Sequence, residues 1–188
     1  MVMGDEQKII EEVIAGHTEA FRILVERYQN PVFRIILKIV GDPEDAKELT
    51  QDVFVKAYES IGQYKPEHKF FSWVYRIAIN RALLFVKRKK KFMQIENLPD
   101  QFHPFPGENA EQENREYLLN RSVQDLNEKY KSVVVLKYYT GLSYSDIAET
   151  LVIPEKTVKS RLFDARKILK EKLSKTDFFA TEEYIENT

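Results

Sequence analysis

Along most of the chain apolar residues recur at three- and four-residue intervals, the spacing of a helix that lays one face on a core. Residues 20–40, AFRILVERYQNPVFRIILKIV, and 42–61, DPEDAKELTQDVFVKAYESI, are two such amphipathic segments. Gly41, Asp42 and Pro43 between them supply a helix stop and a new start. A third predicted helix begins near Phe71 and runs into a lysine run. Wound at about 100° per residue, it gathers Phe71, Val74, Tyr75, Ala78, Ala82, Phe85 and Val86 on one arc. Downstream, residues 117–126, 130–138, 144–151 and 155–173 give a second, smaller helical group. Alternating β-branched runs are few and no internal repeat is visible, so the fold class is all-α.

Between the groups lies MQIENLPDQFHPFPGENAEQENRE, residues 93–116, with Pro99, Pro104, Pro106 and Gly107 and no sustained period. Prolines that close together remove helix hydrogen bonds, so this stretch reads as a flexible linker. Extended, it spans ~70 Å, and two modules joined by it need not touch. The expected organisation is an N-terminal helical domain over 1–92, the linker over 93–116, a C-terminal helix-turn-helix domain over 117–175 and an acidic tail over 176–188. Disorder is the default for such a tail.

Charge changes this picture. The chain of 188 residues is nearly neutral, at −1, only because biased blocks cancel. Residues 60–95 carry 9 basic groups and 1 acidic, and residues 120–175 carry 12 and 7. The stretch 96–119 between them carries 1 basic group and 6 acidic ones. Two cationic blocks joined by an acidic spacer suggest two surfaces for a polyanion. Cysteine is absent, which removes disulfides, thiolate metal sites and a cysteine nucleophile. The most apolar piece, VFRIILKIV, contains Arg34 and Lys38 and falls far short of the ~20 residues of a membrane span. MVMGDEQK lacks a signal-peptide pattern, so a cytoplasmic protein without direct membrane insertion is expected.

In the stretch starting at Ser143, a short acidic helix is followed by a break and a long basic helix. Ser143 suits an N-cap, with Asp146 in a capping-box-like position, and Pro154 suits the start of the second helix. Ala148, Val152 and Val158 sit at offsets that let two helices cross closely. On the second helix Val158, Leu162, Ala165, Leu169 and Leu173 share one side, opposite Lys156, Lys159, Arg166, Lys167 and Lys170. Residues 155–175 hold 8 basic groups against 3 acidic ones, too few for a self-paired face, so a phosphate backbone is the better counter-charge. In helix-turn-helix docking the helix start faces base edges, which nominates Lys156, Thr157, Lys159, Ser160 and Arg161, with Arg166 and Lys170 nearer phosphates. Phe163, inside the cationic arc, either touches a thymine methyl or shields the helix.

The other basic block places Arg76, Asn80, Arg81, Lys87 and Arg88 opposite its apolar arc, interleaved with Trp73, Ile77 and Leu84. Aromatic planes beside cations suit unstacked bases of a single strand. For Trp73 alone, a core position is an equal reading.

With these motifs in order, the chain from about Glu19 to Leu173 resembles a bacterial RNA polymerase sigma factor of the extracytoplasmic-function group. DAKELTQDVF is similar to the family's polymerase-clamp helix, FFSWVYRIAIN to its promoter-melting helix, and LSYSDIAETLVIPEKTVKSRL to its minus-thirty-five-reading domain. The resemblance implies that Asp45, Glu48, Gln51, Asp52 and Phe54 dock on core RNA polymerase. It implies that Trp73, Arg76, Asn80, Arg81, Lys87 and Arg88 hold the minus-ten strand of promoter DNA. Lys156, Thr157, Lys159, Ser160, Arg161 and Arg166 would then read the minus-thirty-five duplex. An anti-sigma partner, a monomeric free state and no cofactor belong to the same expectation. Leu84, Asn127, Lys156 and Asp164 depart from the common family residues, so the promoter sequence does not transfer. Scattered histidines and the lack of a phosphate-binding glycine motif argue against an enzyme. The alternative is a helix-turn-helix regulator whose N-terminal helices sense a ligand or dimerise.

Overall fold

The computed structural model describes residues 3–96, 110–176 and 178. Among these, the regular structure is helical: α1 (Met3–Ile14), α2 (Ala20–Val40), α3 (Pro43–Ser60), α4 (Phe70–Glu96), α5 (Ala110–Gln124), α6 (Glu128–Tyr139), α7 (Tyr144–Leu151) and α8 (Glu155–Leu173), with a 3₁₀ turn at Ile61–Gln63. The all-α expectation holds, and the paired helices fall where the periodicity puts them.

Helix α2 is the spine of the N-terminal half, packed by α1, α3 and α4. Leu24, Val32, Ile35, Ile36 and Ile39 along it are fully buried. It runs unbroken through Pro31, which forgoes one hydrogen bond at a cost of ~3 kcal/mol. Burial of the flanking Leu24 and Val32 offsets that cost, at about 1.5–3 kcal/mol per large side chain. Gly41 then ends the helix in the left-handed region, at φ 86°, and its N–H donates to the Leu37 carbonyl at 2.8 Å. Asp42 caps α3 by accepting from the Glu44 and Asp45 amides, each at 2.9 Å.

Residues 1–19 carry no predicted element, yet the structure has α1 there. It seats Ile10 and Val13 in the core and uses Glu6 to accept from Tyr28 Oη at 2.6 Å and Arg27 Nη1 at 2.8 Å. Burial and the Glu6 carboxylate together push the Tyr28 phenol well above its ordinary range. The stretch 93–116 is helical at both ends, as α4 extends to Glu96 and α5 starts at Ala110; residues 97–109, and the tail beyond 178, lie outside the described residues.

In the C-terminal half α6 is the central helix, with Val133, Val134, Val135 and Leu136 all buried in succession. Helices α7 and α8 pack on it from one side and α2 from another. The two halves therefore touch directly. Lys38 Nζ donates to Asn120 Oδ1 at 2.8 Å and lies 4.8 Å from the Tyr139 ring centre. At the start of α4, Lys69 reaches α7, donating through its backbone N–H to Glu149 Oε1 at 2.8 Å and through Nζ to Asp146.

Candidate nucleic-acid interface

Ser143 Oγ accepts the Asp146 amide at 3.1 Å and donates to the Asp146 carboxylate at 2.6 Å, fixing the start of α7. Helix α7 ends at Val152, whose φ of 54° and ψ of 50° are left-handed. The crossing of α7 and α8 is made by Ile147 and Val158, both fully buried. Val152 does not join it. This residue is 68% exposed, a correction to the spacing argument, because the left-handed turn swings its side chain outward. Pro154 supplies the extended cap of α8, at ψ 143°.

On α8 the two faces separate as expected. Val158, Leu162, Ala165 and Leu173 are buried, and Lys156, Lys159, Ser160 and Arg166 are exposed, with Thr157 and Arg161 half-buried. Lys159 is held by Glu155 at 2.8 Å and lies 5.8 Å from the Tyr144 ring centre. Arg166 Nε donates back to the Leu162 carbonyl at 3.2 Å. Phe163 stands 67% exposed among these groups.

On α4, Asn80, Lys87 and Arg88 are exposed, while Trp73, Arg76 and Arg81 are half-buried. Trp73 belongs to an aromatic cluster, 5.8 Å from Tyr64 and 5.6 Å from Phe70 between ring centres. Its ring thus has a packing role as well as an accessible edge. Phe70, absent from the predicted apolar arc, is 1% exposed, whereas Phe71 is only half-buried. Periodicity does not expose one further feature. Arg76 Nε and the Ser72 hydroxyl are buried and lack hydrogen-bond partners among the described residues. Such groups are costly, at about 1–3 kcal/mol each, and stand ready for an acceptor.

Helix α3 turns its charged side toward α4. Asp45 pairs with Lys89 at 2.6 Å, and Asp52 with Arg81 at 3.8 Å. Glu48 and Gln51 are exposed. Phe54 points inward instead, 7% exposed and edge-on to Phe21 at 6.5 Å, so it supports the helix and does not present its ring. The exposed apolar groups here are Val55 and Tyr58, at 59% and 41%.

A family model described as sigma-70 region 2 matches residues 24–92, and one described as sigma-70, region 4, matches residues 118–169. The RNA polymerase sigma-H factor of Pseudomonas aeruginosa is 32% identical over 185 residues, covering 92% of this chain and 96% of its own. The ECF RNA polymerase sigma-E factor of Haemophilus influenzae is 34% identical over 180 residues, covering 89% of this chain and 95% of its own. The chain belongs to the extracytoplasmic-function group of RNA polymerase sigma factors.

This sigma factor also shares its fold with solved structures. CnrH in complex with the cytosolic domain of CnrY superposes with a TM-score of 0.67 at 21% identity, over 88% of this chain and 95% of that one. RpoE of Bartonella quintana, in complex with the anti-sigma factor NepR, gives 0.64 at 18% identity, over 82% and 96%. The region 2 match takes in most of α2, all of α3 and nearly all of α4; the region 4 match takes in the helix-turn-helix. As a sigma factor the chain binds core RNA polymerase and directs promoter-specific initiation, and a ligand-sensing or dimerising regulator is not favoured. No helix among the described residues is long and apolar enough to cross a membrane.

Proposed function

We propose that this sigma factor divides its work among three helical faces. The outer side of α3, with Glu48, Gln51 and Asp52 beside exposed Val55 and Tyr58, docks on the polymerase clamp. The exposed side of α4, with Arg76, Asn80, Arg81, Lys87 and Arg88 and the edge of Trp73, holds the separated minus-ten strand. The start of α8, with Lys156, Thr157, Lys159, Ser160 and Arg161, enters the minus-thirty-five major groove, while Arg166 meets phosphate. Segments 1–92 and 117–175 act as the two units, and 93–116 joins them. Melting then follows from binding energy and not from catalysis: captured bases offset unpairing, which costs a few kcal/mol. The setting is the cytoplasm, where polymerase and promoter are found.

The observation that supports this reading most is the pair of cationic faces, on α4 and α8, each lying inside a separate sigma-region match. An anti-sigma partner fits the same reading, since the RpoE relative is seen with one. The test is transcription from a genomic promoter library by core polymerase with and without the protein. Start-site selectivity lost on Asn80→Ala and on Lys156→Ala, at different promoter positions, is the expected result. Selectivity unchanged by both variants would overturn the residue assignment.

A further inference from the structure

A groove of about 670 Å³ lies between the C-terminal part of α4 and the turn that joins α5 to α6. That size is within the ~300–1,000 Å³ of small-molecule sites. Lys87, Lys90 and Lys91 line it from α4, and Lys131 from α6, against two carboxylates, Asp125 and Glu128. Asp125 is engaged by Lys172 from α8 at 3.2 Å, which leaves the lysines in excess. The first turn of α6, capped by Asn127, forms one wall and adds the positive end of a 12-residue helix.

Lys131 distinguishes this groove from an ordinary basic surface. It is 3% exposed, lines the groove, and has neither an ion pair nor a hydrogen bond from its ammonium group among the described residues. Asp125 and Glu128 offset part of its charge from a distance but neither pairs with it, so a direct anionic partner in the groove would still be favourable. Burial, reinforced by the charge of Lys90, pushes this ammonium down to about 8, so it remains protonated at neutral pH. Leu83 and Leu126 give the groove an apolar floor.

We propose that this groove is a binding site for a small oligophosphate, either free or as the phosphate chain of a nucleotide. Several lysines converging on a concave site suit consecutive phosphates, whereas the stem of Lys131 is too buried to follow an extended backbone. The site goes beyond promoter recognition, but it shares Lys87 with the strand-binding face, so an occupied groove competes with the minus-ten strand. Because it is walled by both halves, its ligand also favours their contact.

The test is calorimetry and thermal denaturation of the full chain with inorganic tripolyphosphate, without magnesium and at fixed ionic strength, with sulfate as the reference anion. Saturation at one tripolyphosphate per chain and a raised Tm are expected, neither being reproduced by sulfate. Lys131→Met and Lys90→Ala should each weaken binding by about tenfold or more, the effect of losing one charge-assisted hydrogen bond. Lys56→Ala, a lysine on α3 remote from the groove, should leave it unchanged. Binding that does not saturate, or that falls as much with Lys56→Ala as with Lys131→Met, overturns the site. A nucleoside triphosphate arm separates the sources: equal affinity assigns recognition to the phosphates, tighter binding adds the leucine floor, and weaker binding restricts the site to the inorganic chain. None of these readouts requires polymerase, so failure here is distinct from failure of the promoter assignment.

Discussion

Lys69 Nζ stands 2.5 Å from Asp146 Oδ1, joining the residue just before α4 to α7, the first helix of the helix-turn-helix. The same carboxylate accepts from Ser143, so one side chain both finishes the α7 cap and ties the two halves of the molecule together. His68 Nδ1 and Glu149 Oε1, 3.6 Å apart, add a second, weaker link beside it.

Burial works to raise the Asp146 carboxyl, but hydrogen bonds from Lys69 and Ser143 prevail and hold it below the ordinary 3.8. A depressed acid contributes stability that is present above the unfolded value and lost as pH falls through the folded one. Asp146→Asn should therefore flatten the acid limb of thermal stability below about pH 4. A double-mutant cycle with Lys69→Ala should give a coupling of about 0.5–1 kcal/mol that shrinks with added salt, since Lys69 is half-exposed.

Val152 is a β-branched residue in the left-handed region, a conformation that costs about 1–2 kcal/mol, and its exposed side chain recovers little of that by packing. Val152→Gly relieves the strain but loosens the unfolded chain by about 0.4–1 kcal/mol. The net expectation is stabilisation of about 1 kcal/mol, read by urea denaturation, with duplex binding unaltered.

Lys131 titrates near 10.5 when unfolded and near 8 in the fold. Between those values the unfolded chain holds a proton that the native state has released, so stability falls as pH drops through that window and levels off below it. In anion-free buffer Lys131→Met removes this limb and should stabilise the protein at pH 7 by on the order of 1 kcal/mol. Denaturation curves from pH 7 to 11 check the shape as well as the size.

Lys159 is occupied by Glu155 in the free protein, and this pairing raises its ammonium above the ordinary 10.5. Lys159→Ala separates two contacts: as a base reader, its loss changes preference at one position of the minus-thirty-five duplex, whereas a phosphate contact would lower the salt slope of binding by about 0.9. Glu155→Gln should tighten the same duplex a few-fold, because the lysine no longer has to leave a partner. Fluorescence anisotropy over a salt series measures both.

The α8 face was legible from sequence because each of its sides meets a single environment: core at Val158 and Leu162, solvent at Lys156 and Arg166. Helix α1 was missed although Ile9, Ile10, Val13 and Ile14 keep helical spacing, because the segment is short and only its second half carries them. Errors of one position had a different source. Phe71, placed on the buried arc, is only half-buried and its neighbour Phe70 is buried instead, because helix rotation is set by the neighbouring helices and not by the segment itself; Phe54, given a docking role by the family resemblance alone, is buried. Contact between the halves was invisible for a third reason. Lys38, Asn120, Lys69 and Asp146 are among the residues that make it, beside a core continuous across both halves, and a hydropathy pattern counts those four as facing water.

The pairs Asp45–Lys89 and Asp52–Arg81 make α3 and α4 share their charges. While those pairs stand, the acids of α3 offset part of the cationic charge on α4, which is then weaker than the lysine count implies. Drawing those acids away would free Arg81 and Lys89, so on the proposed reading of α4 its grip on a strand is linked to occupancy of α3 without any change of shape.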